Sequence, residues 1–347
     1  MKHKFKMKWW GWVAPDLVFN LNDKPGIIPY LAEKFEITSF SPRFDHDLDK
    51  ISLPESHLSQ QVVADFSDVV GGEFCTTSKE ERLVHSYGKS YKDLLRIRGL
   101  IIDKAPDLVV YPKNEAEIKQ IFSLCEKYDI ALVPFGGGTS VVSGVEALQG
   151  NHQFVCSLDL ARLKNILKID QESMTVTVEA GIFGPELEAK LQQSEFTLGH
   201  FPQSFEFSTL GGWLATRSSG QNSILYGGIE KMVTSLRMIA PNGCLQTINV
   251  PRMAAGPDFK ELILGSEGRL GIITRATMRI SKVPEIQKYN MYFFPNFKSA
   301  AAACRKISQS KIKVAMVRVS DEVETEGLMA MGKSEGSYFY DLGKKIV

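Results

Sequence analysis

Apolar and polar residues follow a regular pattern mainly between residues 106 and 283. The segment Glu115–Tyr128 carries apolar residues at helical spacing, and Asn114 before it is a favourable N-cap, so an amphipathic helix is predicted here. Short apolar runs on either side predict strands over Leu108–Tyr111 and Ala131–Phe135. These three elements form a predicted β-α-β unit whose second strand leads into a glycine-rich loop.

Strand patterns follow one another closely in the rest of this region. Gly271–Ile280 alternates strictly and predicts one apolar face formed by Ile272, Ala276, Met278 and Ile280. The mixed order of elements predicts an α+β fold rather than a doubly wound parallel sheet. Further strands are predicted over Phe154–Asp159, Thr175–Glu179, Met232–Ala240 and Cys244–Val250, and helices over Pro185–Gln193 and Asp258–Leu264.

The N-terminal part is less regular. Residues 1–75 predict an irregular arm that wraps the rest of the molecule, and Lys79–Gly99 has a charged, helical pattern. The run Met7–Trp12 is basic and aromatic, and Gly11, Pro15 and Asp16 interrupt any apolar core that a signal peptide would need. Two interpretations of this run stay open, packing onto a neighbouring surface and contact with a membrane surface.

A second domain is predicted to begin near Pro284. The pattern there predicts a strand over Tyr289–Phe294, an alanine-rich helix over Phe297–Ser308 and a strand over Val314–Ser320. The polar stretch after Ser320 adds no closing element, so we expect the chain to be a fragment.

Composition narrows the class of protein. The chain has 347 residues, 44% of them apolar and 23% charged, with a net charge of +1, so no strong positive field predicts a nucleic-acid partner. No apolar run approaches the roughly 18 residues of a membrane helix. The cysteines form no C-x-x-C pair and the histidines no H-x-x-x-H pair, which predicts reduced thiols in the cytoplasm and no metal site. The cysteines are Cys75, Cys125, Cys156, Cys244 and Cys304.

The loop Pro134–Val142 is the strongest chemical signal. Its three consecutive glycines allow successive backbone N–H groups to turn towards one anion, and two hydroxyl residues follow them. The loop suits a bound diphosphate, and an ordinary glycine-rich turn between strands is the alternative. A dinucleotide G-x-G-x-x-G motif is excluded by Val141, and a P-loop ending at Gly88-Lys89-Ser90 is excluded by Leu83.

Three further stretches share the small, hydroxyl-rich character of this loop. They are Gly199–Trp213, Thr216–Gly220 and Gly265–Ile273. Each alone fits a turn or the start of a strand. Together with the glycine loop they suit a long cofactor that lies across one domain and is contacted mainly by backbone.

In this order the four stretches resemble the PCMH-type FAD-binding domain of the vanillyl-alcohol-oxidase superfamily. Within it, residues 7–335 resemble the alkyldihydroxyacetonephosphate synthase (alkylglycerone-phosphate synthase) family of ether-lipid biosynthesis. The resemblance implies an N-terminal arm and helical segment over 1–100, a two-subdomain PCMH-type FAD-binding domain over 101–283, and the start of an α/β cap domain over 284–347. The motifs that carry it are Met7–Trp12, Pro134–Val141, Gly199-His200, Ser204–Trp213, Thr216–Gly220, Pro251–Met253, Gly256–Asp258, Gly265–Ile273, Pro295–Phe297 and Val317-Arg318.

The resemblance also implies the cofactor contacts. Relatives that bind flavin covalently use a histidine in the first loop, and Gly138-Thr139-Ser140 offers none, so non-covalent FAD is expected. The implied FAD contacts are Pro134, Phe135, Gly136, Gly137, Gly138, Thr139, Ser140, Gln203, Ser204, Phe205, Glu206, Phe207, Ser208, Thr209, Thr216, Arg217, Ser218, Ser219, Glu267, Gly268, Arg269, Leu270, Gly271, Ile272 and Ile273.

The family exchanges the acyl group of acyl-dihydroxyacetone phosphate for a fatty alcohol without net redox. Its catalytic tyrosine and histidines belong to the C-terminal part of the family's chain, so no catalytic residue is assigned here and they are expected beyond Val347. Lipid substrates, a cytoplasmic location with peripheral membrane contact and a homodimer are the accompanying expectations. The alternatives are an FAD-linked D-2-hydroxyacid dehydrogenase or oxidase of the same superfamily, and a flavin-binding fragment without catalysis.

Overall fold

A computed structural model describes residues 7–17, 24–39 and 47–331. The chain forms two compact units. The larger unit contains Met1–Ala14 and His46–Glu285, and the smaller contains Pro15–Asp45 and Ile286–Val347. The predicted division of the chain at residues 100 and 283 stays a prediction.

Helices and strands alternate irregularly along the described residues, and all of them except α1, α11 and α12 belong to the larger unit. The helices are α1 (Ile27–Phe35), α2 (Gln60–Val70), α3 (Lys79–Val84), α4 (Tyr91–Arg98), α5 (Glu115–Lys127), α6 (Gly184–Gln192), α7 (Leu210–Thr216), α8 (Ser223–Tyr226), α9 (Ile229–Met232), α10 (Phe259–Ile263), α11 (Phe297–Gln309) and α12 (Glu322–Met331). The strands are β1 (Cys75–Thr76), β2 (Leu108–Val110), β3 (Ile130–Phe135), β4 (Phe154–Asp159), β5 (Ile166–Asp170), β6 (Thr175–Glu179), β7 (Phe196–Thr197), β8 (Val233–Ala240), β9 (Gly243–Gln246), β10 (Ile272–Arg279) and β11 (Ser281–Lys282).

The first sheet contains the predicted β-α-β unit. Its strand order is β1-β2-β4-β3, with β2, β4 and β3 parallel and β1 antiparallel at the edge. Helix α5 begins at the predicted N-cap, where the Asn114 side chain accepts a hydrogen bond from the backbone N–H of Glu117. Helices α2 and α5 cover this sheet with a core that includes Phe66, Ile118 and Ile121.

The second sheet is antiparallel throughout, in the order β5-β6-β10-β8-β9. Helices α6 and α7 pack their apolar residues against it, including Leu187 and Trp213. A two-stranded pair of β7 and β11 lies beside this core. The mixed order of elements therefore resolves into two sheets with separate cores, which confirms the predicted α+β class.

One carboxylate links the two sheets. Glu115 lies in the first turn of α5, and both of its oxygens accept from Nε of Arg237 on β8 at 2.8 Å. The hydroxyl of Thr274 on β10 donates to the same carboxylate at 2.8 Å. Burial alone would raise the pKa of Glu115, but the hydrogen bonds from Arg237 and Thr274 outweigh it and lower that pKa. The contact holds the helix that precedes the glycine loop against the second sheet.

Two predictions about secondary structure were wrong, and a third was confirmed. The irregular arm predicted over residues 1–75 contains the helices α1 and α2. The helical pattern over Lys79–Gly99 is confirmed, and it forms the two helices α3 and α4. Ser90 starts the second of these with a capping box, because its side chain accepts from Asp93 N–H while the Asp93 carboxylate accepts from Ser90 N–H. The predicted apolar face of β10 is also divided. Ile272 packs in the core of the first sheet, whereas Ala276, Met278 and Ile280 pack in that of the second. A register shift between Ile273 and Arg275 breaks the alternation and separates them.

The smaller unit also differs from its predicted β-α-β pattern. The helix α11 is present, with Asn296 as its N-cap, but the described residues after Lys282 contain no strand at Tyr289–Phe294 or Val314–Ser320. Helices α1 and α12 contact each other through the Tyr30 hydroxyl, which donates to the Val323 carbonyl at 3.0 Å. Across the described ranges, no helix has both the length and the apolar character needed to cross a membrane.

Candidate cofactor site

The glycine loop follows β3 and presents unpaired donors. Within the described residues, the backbone N–H groups of Gly137, Gly138 and Thr139 donate to no protein acceptor. Gly138 is buried and has φ +68°, a left-handed conformation that glycine adopts without strain. Successive N–H groups around such a residue form a concave nest that favours an anion. A buried donor without an acceptor costs free energy, as at Gly138, so the geometry of the loop suits an anionic ligand.

The stretch 203–209 packs directly on the glycine loop. A Cβ added to Gly137 would lie 1.6 Å from the Phe207 carbonyl oxygen, and one added to Gly136 would lie 2.4 Å from the Thr209 hydroxyl. The Thr209 side chain also caps α7 by accepting from Gly212 N–H. Gly136 and Gly137 are therefore required for the close contact between the glycine loop and the stretch 203–209.

The other two stretches join the same assembly through α7. Backbone N–H groups of Gly265 and Glu267 donate to the carbonyls of Leu214 and Ala215 at 3.0 and 2.9 Å, so the segment after α10 is held against the end of α7. Gly268 lies so close to Pro134 that a Cβ would be 2.6 Å from its ring. All four stretches singled out in the sequence thus meet at one place.

Glu267 is the acidic group of this assembly. It has φ +53°, and its carboxylate lies 2.8 Å from the position that a Cβ on Gly144 would take, with the Ser140 hydroxyl 3.3 Å from that position. Burial raises the pKa of Glu267 above its ordinary value.

A buried cluster of Phe135, His85 and Asp159 packs against the glycine loop at Gly138. A Cβ on Gly138 would lie 2.5 Å from the Phe135 ring, which in turn lies 4.1 Å from the His85 ring. His85 Nε2 is 3.1 Å from the Asp159 carboxylate, and Asp159 ends β4 opposite Phe135. The conformation of the glycine loop is therefore set by side chains of three separate elements.

His200 lies in the same region and is fully enclosed. Its Nε2 is 2.8 Å from the Ser218 hydroxyl, and its ring contacts Trp213 edge-on at 5.0 Å. Its Nδ1 is one of the buried polar atoms without a partner among the described residues. Burial lowers the pKa of His200 to about 4, so the imidazole is neutral at pH 7.

Gly88 and Lys89 also border the loop. The Lys89 backbone N–H donates to the Ser140 carbonyl at 2.7 Å, and a Cβ on Gly88 would be 2.1 Å from that oxygen. The Lys89 ammonium is buried, and burial lowers its pKa to about 8 against the opposing charge of Asp93. From the sequence, Gly88-Lys89 indicates only that a P-loop motif is incomplete. The contact with Ser140 has no sequence signal because the two segments are far apart along the chain.

The residues predicted to contact the cofactor differ from one another in burial and in their side-chain partners. Ile272 and Ile273 are buried in the two cores, and the Arg217 guanidinium pairs with Glu261. The structure brings together the four stretches, and the assignment of individual residues as cofactor contacts stays a prediction. Those with exposed side chains are Gln203, Glu206, Thr216, Arg217, Ser219, Arg269 and Leu270.

A cavity of about 540 Å³ lies beside the 203–209 stretch. Its walls are mainly aromatic and aliphatic. It is lined by Trp12, Val13, Phe201, Pro202, Gln203, Phe205, Glu206, Phe207 and Gln221.

Comparison with known proteins finds relatives of this chain in sequence and in structure. A sequence profile described as "FAD binding domain" matches residues 106–249. The chain is 43% identical over 259 residues to an alkyldihydroxyacetonephosphate synthase of Dictyostelium discoideum, covering 75% of this chain and 42% of that protein. It is 35% identical over 264 residues to a mitochondrial D-lactate dehydrogenase [cytochrome] of Arabidopsis thaliana, covering 75% of this chain and 44% of that protein.

A solved structure of an alkyldihydroxyacetonephosphate synthase superposes with a TM-score of 0.88 at 34% identity, covering 98% of this chain and 67% of that one. The chain belongs to the alkyldihydroxyacetonephosphate synthase family. This confirms the resemblance and the PCMH-type FAD-binding fold. The chain spans between 42% and 60% of the length of the curated synthases it matches.

FAD is the cofactor of this family's fold, and the residues present fit it. The nest at Gly137–Thr139 offers three donors to a diphosphate, and the converging stretches leave one buried imidazole nitrogen, His200 Nδ1, to be satisfied. Backbone donors and neutral groups suit the ligand because a diphosphate is held well by oriented N–H dipoles.

Gly137→Ala is expected to disrupt the site by pushing the two loops apart. The new Cβ would overlap the Phe207 carbonyl, and relief requires backbone movement. We expect FAD affinity to fall by tenfold or more, about 1.4 kcal/mol, measured by fluorescence titration of the apoprotein. Gly72→Ala is the matched control, because its Cβ meets nothing within 4 Å. Equal FAD affinity in the two variants would contradict the packing described here.

His200 predicts a pH-dependent stability. Its folded pKa of about 4 lies below the ordinary 6.5, so the unfolded chain binds the extra proton between these values. The stabilisation from neutral His200 is therefore complete above pH 6.5 and lost as the pH falls towards 4, on the order of 3 kcal/mol. In denaturant titrations across this window, His200→Gln should show a shallower decline than wild type. His152 is exposed, so His152→Gln should decline as steeply as wild type. A shallower decline in His152→Gln, or a decline in His200→Gln as steep as that of wild type, would show that the burial of His200 is not the cause.

Proposed function

We propose that this chain forms the flavin-binding part of an alkyldihydroxyacetonephosphate synthase that holds FAD non-covalently. The observation that carries the proposal is the row of unpaired N–H groups at Gly137–Thr139, where the four stretches converge. These donors would hold the diphosphate, and the stretches 203–209, 216–219 and 267–273 would enclose the remainder of the cofactor. The glycine loop contains no histidine that could bond the flavin.

The proposed reaction exchanges one oxygen substituent on dihydroxyacetone phosphate. The fatty acid leaves with its carboxylate oxygens, and the oxygen of a long-chain alcohol forms the new ether bond, so atoms balance without an oxidant. When bound, FAD supplies a ring nitrogen that can act as a nucleophile without net redox. This chain's own residues bind and orient the cofactor, and His200, neutral at pH 7, adds no charge next to it.

The lipid substrates of the proposed reaction favour a protein that works at a membrane surface. We propose a cytoplasmic protein that meets membranes peripherally and assembles as a homodimer. The N-terminal aromatic run gives limited support for the membrane contact, because Met7 and Trp9 are buried at 8% and 9% exposure and only Trp10 and Trp12 are half-buried. Packing is thus the main role of this run.

A D-2-hydroxyacid dehydrogenase is the second candidate. It is supported by the likeness to the Arabidopsis D-lactate dehydrogenase over 75% of this chain. It is less well supported than the synthase, whose solved structure superposes on nearly the whole chain. The two functions differ in whether the flavin is reduced during turnover.

The protein expressed from its complete reading frame should transfer labelled hexadecanol into ether lipid. The assay supplies acyl-dihydroxyacetone phosphate and follows label in the product and release of the fatty acid, with flavin absorbance recorded throughout. Stoichiometric exchange with oxidised flavin is expected, and Gly137→Ala should lose activity in proportion to its FAD content. Reduction of a dye with D-lactate, with no label transferred, would favour the dehydrogenase and overturn the proposal.

A further inference from the structure

The N-terminal segment Met7–Val13 is part of the larger unit and borders the cofactor site. It forms a closed turn, because Lys8 N–H donates to the Val13 carbonyl at 2.9 Å and Gly11 N–H to the Lys8 carbonyl at 3.4 Å. Met7 and Trp9 are buried. The segment is therefore a folded element and not a loose extension.

Two cations hold this turn in place through its backbone. The buried Lys89 ammonium donates to the Trp9 carbonyl at 3.4 Å, and Arg98 Nε donates to the Trp10 carbonyl at 3.2 Å. The Lys89 backbone is itself bonded to Ser140 in the glycine loop. The position of the turn is thus tied to that of the loop proposed to hold the diphosphate.

The turn presents Trp12 and Val13 to the cavity. Val13 has φ +71°, which is unusual for a β-branched residue and persists only where the surroundings enforce it. On the cavity's other walls are Phe201, Phe205 and Phe207, from the stretch that packs on the glycine loop. One wall of the cavity therefore comes from the N-terminal turn and another from a proposed flavin-binding stretch.

The lining indicates an apolar occupant. Its polar members are Gln203, Glu206 and Gln221, and all three are exposed. A flavin ring needs hydrogen-bond partners along its polar edge, whereas the buried and half-buried residues that line this cavity are aromatic or aliphatic. A methylene chain needs no such partners and gains from the removal of apolar surface from water.

We propose that Trp12 is a specificity-determining residue whose indole contacts the alkyl chain of the long-chain alcohol substrate. The inference rests on the proposed synthase function and adds to it the place where the chain binds. Lys89 and Arg98 act as positioning residues that hold the turn. Phe207 lines the cavity, and its carbonyl packs on Gly137 of the glycine loop. An alkyl chain bound in the cavity therefore lies next to the cofactor stretches.

The test compares Trp12→Ala with Trp10→Ala in the FAD-loaded protein expressed from its complete reading frame. Trp10 belongs to the same turn and does not line the cavity. KM and kcat are measured for decanol, tetradecanol and octadecanol, and equilibrium binding of labelled tetradecanol is measured without the second substrate. For Trp12→Ala we expect KM and Kd for tetradecanol to rise about tenfold, with a changed ratio of kcat/KM between octadecanol and decanol. Trp10→Ala should keep the wild-type ratio.

Two other outcomes overturn the inference, and a third rejects the synthase function on which it rests. An unchanged chain-length ratio and unchanged tetradecanol binding in Trp12→Ala would show that the chain binds elsewhere. A matching loss of FAD affinity in that variant would show that the flavin itself fills the cavity. Failure of the wild-type protein to transfer alcohol, with tetradecanol still bound in a Trp12-dependent manner, would reject the synthase function while retaining the apolar site.

Discussion

The close approach of Gly137 to the Phe207 carbonyl is the contact on which the cofactor site depends. The stretch around Phe207 also starts α7, and the end of α7 accepts hydrogen bonds from the segment around Glu267. Four segments that are far apart in sequence are consequently held as one packed assembly. In such an assembly a small backbone displacement at one loop is transmitted to the others, because closely packed groups have little room to adjust separately.

Backbone donors take the place of charged side chains in this arrangement. Arg217, the cation of the third stretch, pairs with Glu261, and Lys89 lies buried behind Ser140 with its ammonium directed at Trp9. The donors at Gly137–Thr139 carry partial charges that are fixed by the fold, so they need no reorganisation when an anion binds. His200 also adds no charge to this arrangement, because burial lowers its pKa to about 4 and the imidazole is neutral at pH 7.

Local chemistry was enough to predict the parts of the fold that depend on nearby residues. The Asn114 cap, the helix α5 and the strand before the glycine loop were predicted because their signals lie within a few residues. The same reasoning was wrong for Ile272, whose face is changed by a register shift against β8. It was also wrong for Tyr289–Phe294, which forms no strand among the described residues. At the site, the small-residue stretches were predicted, whereas the contact of Lys89 with Ser140 depends on tertiary packing that no local pattern contains.

The most direct test of the account is the affinity of the apoprotein for FAD compared with riboflavin, measured by isothermal titration at constant ionic strength. Riboflavin keeps the ring and lacks the diphosphate, so it makes no use of the donors at Gly137–Thr139. Hydrogen bonds to a charged group contribute about 1.5–3 kcal/mol each, and we therefore expect FAD to bind more tightly by a factor of about a hundred or more. Comparable affinities for the two flavins would contradict the claim that the converging loops recognise the diphosphate.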